Sequence, residues 1–296
     1  MFKSLNLRAC LEEAEKKGVA IGHFNISDLA ALRAIFEAAK ELGVPVLIGT
    51  SEGERAFLGP RQAVALVKGL REEFNYPVFL NADHTHSFEK IKEAVEAGYD
   101  AVLFDGGKLS LEENIKETKR VVEYVKSVNS AIVVEGELGY IGSSSEVLTA
   151  LPVGVALSAS DFTTPEQAAQ FVKETGVDLL APAVGNIHGI VRPPGSTKAE
   201  DPPLDIARVK AINDAVIIPL VLHGASGNTD EDIRSAIKAG AHIVHINTEL
   251  RLAWRRGLER GFKENPNEVA PYKILSYSEA QIKEVVMHYL ALFSGT

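Results

Sequence analysis

Short runs of β-branched and apolar residues recur along the chain. Each is followed by a longer stretch whose apolar positions return with the helical period. The runs are Val19–Asn25, Val44–Thr50, Pro77–Ala82, Ala101–Asp105, Ala131–Glu137, Asp178–Val184, Ile217–His223 and Ile243–Asn247. The helical stretches are Asp28–Leu42, Arg61–Phe74, Phe88–Ala97, Leu111–Lys126, Pro165–Thr175, Leu204–Asn213, Glu231–Ala239 and Glu249–Lys263. Cap chemistry fits these boundaries. Ser27-Asp28, Thr164-Pro165-Glu166 and Thr229-Asp230-Glu231 open helices, and Gly43, Gly98 and Gly240 close them. The strands read as continuous apolar runs, the mark of a parallel sheet covered on both faces. Eight strand–helix units predict an α/β fold of the (β/α)8 barrel type, with an open doubly wound sheet as the competing reading. Leu5–Lys17 and Glu279–Phe293 are extra helices at the N- and C-terminal ends.

Length changes this picture little: 296 residues suit one barrel or two smaller units. The unbroken strand–helix period favours a single domain over residues 1–296. A net charge of −9 argues against nucleic acid or an anionic membrane as partner. No window approaches the roughly 20 apolar residues of a membrane span. The N-terminus lacks the apolar core of a signal peptide, so a cytoplasmic location is expected. Cys10 stands alone, which excludes an internal disulfide and leaves His, Asp and Glu as metal ligands. Cys10 and Trp254 read as packing residues.

Chemistry concentrates where strands end. The third strand runs into Asn81-Ala82-Asp83-His84-Thr85-His86 and the fourth into Asp105-Gly106-Gly107. The fifth carries Glu135-Gly136-Glu137, and the sixth leads to Asn186-Ile187-His188-Gly189. The seventh ends at His223-Gly224-Ala225-Ser226-Gly227 and the eighth at His245-Ile246-Asn247-Thr248. Five of the eight histidines lie at these ends. In a barrel they converge on one mouth. His84, His188 and His223 from separate strands suit a divalent transition metal with one position left for substrate. The blander reading is that each caps a strand by hydrogen bonding. Asp105 and Glu137 orient such ligands, hold another cation or form salt bridges. The glycine-rich turn after His223 and the helix start at Asn247-Thr248 suit a phosphate, or are simply tight turns. Asp83 leaves its strand on the opposite side from His84 and is placed for proton transfer. Glu146 sits in the long loop Gly139–Thr163, from which a moving base could arrive. A second long loop covers Gly189–Pro203. His86 and His242 read as structural.

These residues, with Gly22-His23-Phe24-Asn25-Ile26, Thr50-Ser51-Glu52-Gly53 and Phe104-Asp105-Gly106-Gly107-Lys108-Leu109, resemble the class II, metal-dependent ketose-bisphosphate aldolases. The resemblance spans nearly the whole chain. It implies reversible cleavage of a ketose phosphate such as fructose 1,6-bisphosphate to dihydroxyacetone phosphate and an aldehyde. By resemblance, His84, His188 and His223 hold Zn²⁺ as a Lewis acid, and Asp105 and Glu137 serve an alternative metal site. Asp83 acts on the C4 hydroxyl, and Glu146 takes the proton of the ketone phosphate. Gly189, Gly224, Ser226, Asn247 and Thr248 match phosphate-binding positions, and Gly189 and Ser226 also match a Na⁺ or K⁺ site. Arg192 stands where a phosphate-directed lysine is common, and Asn25 and Ser51 match the distal side of the substrate. A homodimer or homotetramer is the expected assembly.

The sequence also departs from the family pattern. His245 replaces an asparagine that steadies the enediolate, and Ile243 replaces a lysine. The loop reads Gly142-Ser143-Ser144-Ser145-Glu146, with the glutamate one position late, and Ser276-Tyr277-Ser278-Glu279 lacks an arginine. Three alternatives follow: an aldolase for a less phosphorylated ketose, a phosphosugar-binding protein without turnover, or a metal-assisted isomerase.

Overall fold

The computed structural model describes residues 5–142, 145–151, 154, 155, 158, 160–192, 194 and 201–295. Ser143 and Ser144 of the expected mobile loop, and much of the second long loop, lie outside the described residues. Eight parallel strands close into a barrel, as the pattern predicts. In chain order they are β1 (Ile21–Asn25), β2 (Val46–Thr50), β3 (Val78–Thr85), β4 (Ala101–Phe104), β5 (Val133–Leu138), β7 (Leu179–Pro182), β9 (Leu220–Leu222) and β10 (Ala241–Ile246). The remaining two, β6 (Val147–Leu148) and β8 (Ile190–Val191), pair with each other outside the barrel. Neighbours around the barrel run β1, β10, β9, β7, β5, β4, β3, β2. The structural relatives reported below share this architecture.

The surrounding helices match the amphipathic stretches closely. They are α2 (Leu29–Leu42), α4 (Pro60–Phe74), α5 (Phe88–Ala97), α6 (Leu111–Val128), α7 (Pro165–Thr175), α8 (Ile206–Ala215), α9 (Asp230–Ala239) and α10 (Thr248–Glu264). Helix α1 (Leu7–Lys17) precedes the barrel and α11 (Pro271–Ser294) follows it. The pattern missed α3 (Glu52–Leu58), a short helix held by a capping box between Ser51 and Glu54. It also placed the start of α11 too late: Pro271 occupies the first turn, where its missing N–H costs nothing. The two long loops meet in the β6–β8 pair, a contact that no local periodicity announces.

Two cores result. The larger lies between barrel and helices and includes Phe24, Phe36, Leu80, Val102, Phe171 and Val286. The smaller fills the floor of the barrel, where Ile21, Leu47, Phe79, Val133, Val221 and Ile243 meet Leu7, Cys10, Leu11 and Ala14 of α1. Cys10 is therefore a packing residue, and burial pushes its thiol up to about 11. Moving two residues along each strand keeps the same side of the sheet. Above the apolar floor this step brings His23, Asn81, Glu135, His223 and His245 into the barrel. A further step brings Asn25, Asp83, Glu137 and Asn247 to the mouth. The interior thus turns from apolar to polar to chemically active along one axis.

Candidate active site

The middle layer is a buried hydrogen-bonded set. The His23 ring reaches across β2 to the Asn81 side chain, with Nε2 3.1 Å from Nδ2. Gly49 makes this reach possible, because a Cβ there would lie 2.2 Å from the ring. His245 stacks on His23, centroids 3.5 Å apart and planes within 3°. His223 lies on the other side of His245, at 3.8 Å and 35°. Glu135 bonds His223 Nε2 at 2.7 Å, which turns Nδ1 of that ring towards His84. Burial is the largest influence on these groups. It pushes Glu135 up to about 8 and lowers His23 to about 4 and His223 to about 3.

At the mouth, β3 carries one extra residue against β4 between Ala82 and Thr85, and His84 has φ 35°. This bulge re-aims the strand. Asp83 and His84 consequently both face the cavity, contrary to the expectation that they diverge. His84 Nδ1 bonds Asp105 at 2.9 Å and lies 3.5 Å from Glu137. Its Nε2 is 3.1 Å from His223 Nδ1, and His188 packs edge-on at 4.5 Å between centroids. Burial alone would lower the His84 pKa, but Asp83, Asp105 and Glu137 raise it to about 10. Asp83 is held well below the usual carboxylate range. Burial opposes this shift, and His84, His23, His223 and a bond from Asn25 drive it.

One donor atom from each of His84, Glu137, His188 and His223 fits within 4.8 Å of the others. His188 Nε2 and both carboxylate oxygens of Glu137 are buried without a hydrogen-bond partner. Buried polar atoms left unpaired are costly, and four carboxylates crowd this cluster. A divalent cation there would supply both the missing partner and the missing charge. Three imidazoles with a carboxylate form a donor set suited to zinc and its neighbours.

A cavity of about 270 Å³ opens beside this cluster. Asn25, Ser51, Asp83, His84, Asp105 and His188 line it, as do Gly189, Gly224, Ser226, His245, Asn247 and Thr248. Gly224 (φ 60°) lies so close to Ile187 that a Cβ would be 2.2 Å from its carbonyl oxygen. Glu137 and His223 are buried beneath the lining. Two expected residues stand apart among the described contacts. Glu146 is exposed, its carbonyl accepting from the N–H of Ile190, and Arg192 donates its N–H to Leu148. Both are held by the β6–β8 pairing rather than by the cavity.

Sequence reasoning missed several groups. Arg251 lines the cavity and donates to Glu54 at 2.7 Å. Glu54 in turn accepts from the Asn25 side chain at 2.8 Å, and that same amide holds Asp83 at 2.9 Å. His86, read as structural, also reaches the cavity rim. His23, Asn81 and Glu135 were legible only through the two-residue step inward from a strand-end residue.

The profile of the family described as fructose-bisphosphate aldolase class-II matches residues 5–296. The chain belongs to that family of aldehyde-lyases. A fructose-bisphosphate aldolase of Geobacillus stearothermophilus is 35% identical over 295 residues, covering 99% of this chain and 97% of that protein. One from Staphylococcus aureus is 33% identical over 285 residues, covering 95% and 94%. The crystal structure of the YdjI aldolase from Escherichia coli K12 superposes with a TM-score of 0.79 at 30% identity, covering 97% of this chain and 96% of that one. Class II members are generally metal-dependent, and the cluster at the mouth of this family member has the donors to be so. No helix among the described residues is long and apolar enough to cross a membrane.

Proposed function

We propose that this chain is a Zn²⁺-dependent aldolase that reversibly cleaves a ketose phosphate, such as fructose 1,6-bisphosphate, to dihydroxyacetone phosphate and an aldehyde. The observation that carries this reading is the convergence of His84, His188, His223 and Glu137 around unpartnered donor atoms, beside an ionised Asp83 at the cavity wall. His84, His188 and His223 hold the metal, with Asp105 and Glu137 available to a second position. When bound, the metal supplies a Lewis acid for the substrate's ketone oxygen.

The chain's own residues do the rest. Asn25 pins one oxygen of Asp83, leaving the other free to take the proton of the C4 hydroxyl. Glu135 fixes the His223 ring through Nε2 so that Nδ1 faces the other ligands. Backbone N–H groups near Gly189, Gly224 and Ser226, with Asn247 and Thr248 at the start of α10, form a cradle for phosphate. Gly189 and Ser226 also offer oxygens to Na⁺ or K⁺. Ser51 lines the distal end. Glu146 and Arg192 reach substrate only if the β6–β8 pair moves, and Glu146 then takes the proton of the ketone phosphate. In the same reading residues 1–296 form one domain, the assembly is a homodimer or homotetramer, and the location is cytoplasmic.

The test is an aldehyde panel with dihydroxyacetone phosphate, run with and without added Zn²⁺ after chelation. Carbon–carbon bond formation should depend on the added metal. Full activity in metal-free protein would refute it. The panel also decides whether the aldehyde carries a phosphate, since His245, Ile243 and the arginine-free Ser276–Glu279 segment depart from the bisphosphate pattern.

A further inference from the structure

We infer that His245 and Asp83 together form a recognition pair for one substrate hydroxyl, which makes His245 a specificity-determining residue. The inference deepens the aldolase reading above and rests on it. His245 lines the cavity, and its Nδ1 lies 3.6 Å from Asp83 Oδ1. That separation is beyond a hydrogen bond. Asp83 Oδ1 is buried without a partner, because Asn25 occupies only Oδ2. His245 Nε2, facing away from Asp83, is likewise buried and unpartnered. The ring carries one proton when neutral, and placing it on Nδ1 leaves only a lone pair buried at Nε2. An unmet lone pair is easier to tolerate than an unmet N–H.

The result is a neutral donor beside an anionic acceptor, neither satisfied by the other. A hydroxyl group fits both, because its oxygen accepts from His245 Nδ1–H while its hydrogen goes to Asp83 Oδ1. A ketone or ether oxygen in the same place would satisfy only the donor. The ring cannot swing away, because it lies between His23 at 3.5 Å and His223 at 3.8 Å. The pair also follows the chemistry. In cleavage the O–H bond breaks and its proton passes to Asp83 Oδ1. The O–H electron pair becomes the carbonyl bond of the aldehyde. The electrons of the broken carbon–carbon bond stay with the ketone-phosphate half as its enediolate. His245 remains a donor to the aldehyde oxygen throughout, so the residue acts on the aldehyde side and not on the enediolate that the family's asparagine serves.

Two half-reactions separate these roles. Cleavage of the ketose phosphate involves the hydroxyl, whereas exchange of the dihydroxyacetone phosphate proton with solvent does not. His245→Phe keeps an aromatic ring in the stack and removes the N–H. His245→Gln restores a donor. We expect His245→Phe to lower kcat/KM for cleavage by about tenfold to a hundredfold, the range for losing a hydrogen bond to a reacting group. The loss should exceed any loss in exchange by at least about tenfold, and His245→Gln should recover part of it. Equal losses in both half-reactions, or cleavage unchanged in His245→Phe, would overturn the pair. A wild-type protein that performs exchange but no cleavage would also overturn it. One that performs neither would refute the aldolase reading itself.

Discussion

The two ends of the barrel are built on opposite principles. At the floor two half-buried aspartates are answered from within the chain. Asp178 accepts from Arg8 at 2.8 Å, from Lys126 at 2.5 Å and from the N–H of Val134 at 2.8 Å. Asp100 takes both guanidinium nitrogens of Arg71 and the N–H of Leu80. At the mouth and in the layer just beneath it, His23, Asp83, Glu137, His188 and His245 each keep at least one buried atom unpartnered. One end closes its electrostatics within the chain, and the other leaves it open to whatever enters. This is the division expected of barrel enzymes, with stability at one face and chemistry at the other.

Substitutions at the two ends should therefore part company. His188→Ala removes a proposed metal donor, and the loss of Lewis-acid stabilisation should lower cleavage by about a thousandfold or more, with bound metal falling in parallel by elemental analysis. Full cleavage in this variant would end the comparison. Asp83→Asn should lower cleavage by about a hundredfold to ten-thousandfold, the usual value of a positioned base, while metal content holds. Loss of metal instead would make Asp83 a ligand. Glu135→Gln sharpens the contrast further, because it tests a carboxylate that acts on the cluster by bonding the His223 ring. It should weaken metal binding by about tenfold to a hundredfold, read by competition with a chelator.

The smallest effect belongs to the floor. Asp178→Asn should cost about 1–3 kcal/mol of stability and leave kcat/KM at neutral pH unaltered. The pH dependence has a defined sign. Burial raises the Asp178 carboxyl, but its bonds to Arg8, Lys126 and Val134 outweigh that and lower it. Its contribution is thus complete above the unfolded carboxylate pKa of about 4 and is lost as pH falls through the depressed folded value. The wild-type melting temperature should drop more steeply in acid than that of Asp178→Asn. Identical acid profiles would show that the floor pairing contributes nothing.

The floor and the barrel staves were readable because they follow local rules. Continuous apolar runs mark β1 to β5, β7, β9 and β10 to within a few residues, and glycine and threonine caps mark the helices between them. His84 and His223 were readable because they stand at strand ends, and His188 because it lies in the segment that follows β7. Their environment was not. The bulge at Asp83-His84 changes which way two side chains point, and bulges leave no periodic trace. His23 and Glu135 sit inside strands, where their functional sense comes from partners on distant strands: His245 for one, His223 for the other. Nothing in the local pattern singles out Arg251, and only the turn of α10 brings it to the cavity beside Glu54.

The central claim is that the unpartnered donors at the mouth complete themselves with a metal. The most direct measurement is a titration of chelator-stripped protein with Zn²⁺, following melting temperature and ketose phosphate cleavage together. The account predicts that both rise, saturating at about one ion per chain, because a ligand that binds only the folded state stabilises it. Full cleavage before any Zn²⁺ is added, or a melting temperature and activity that ignore the ion, would contradict it.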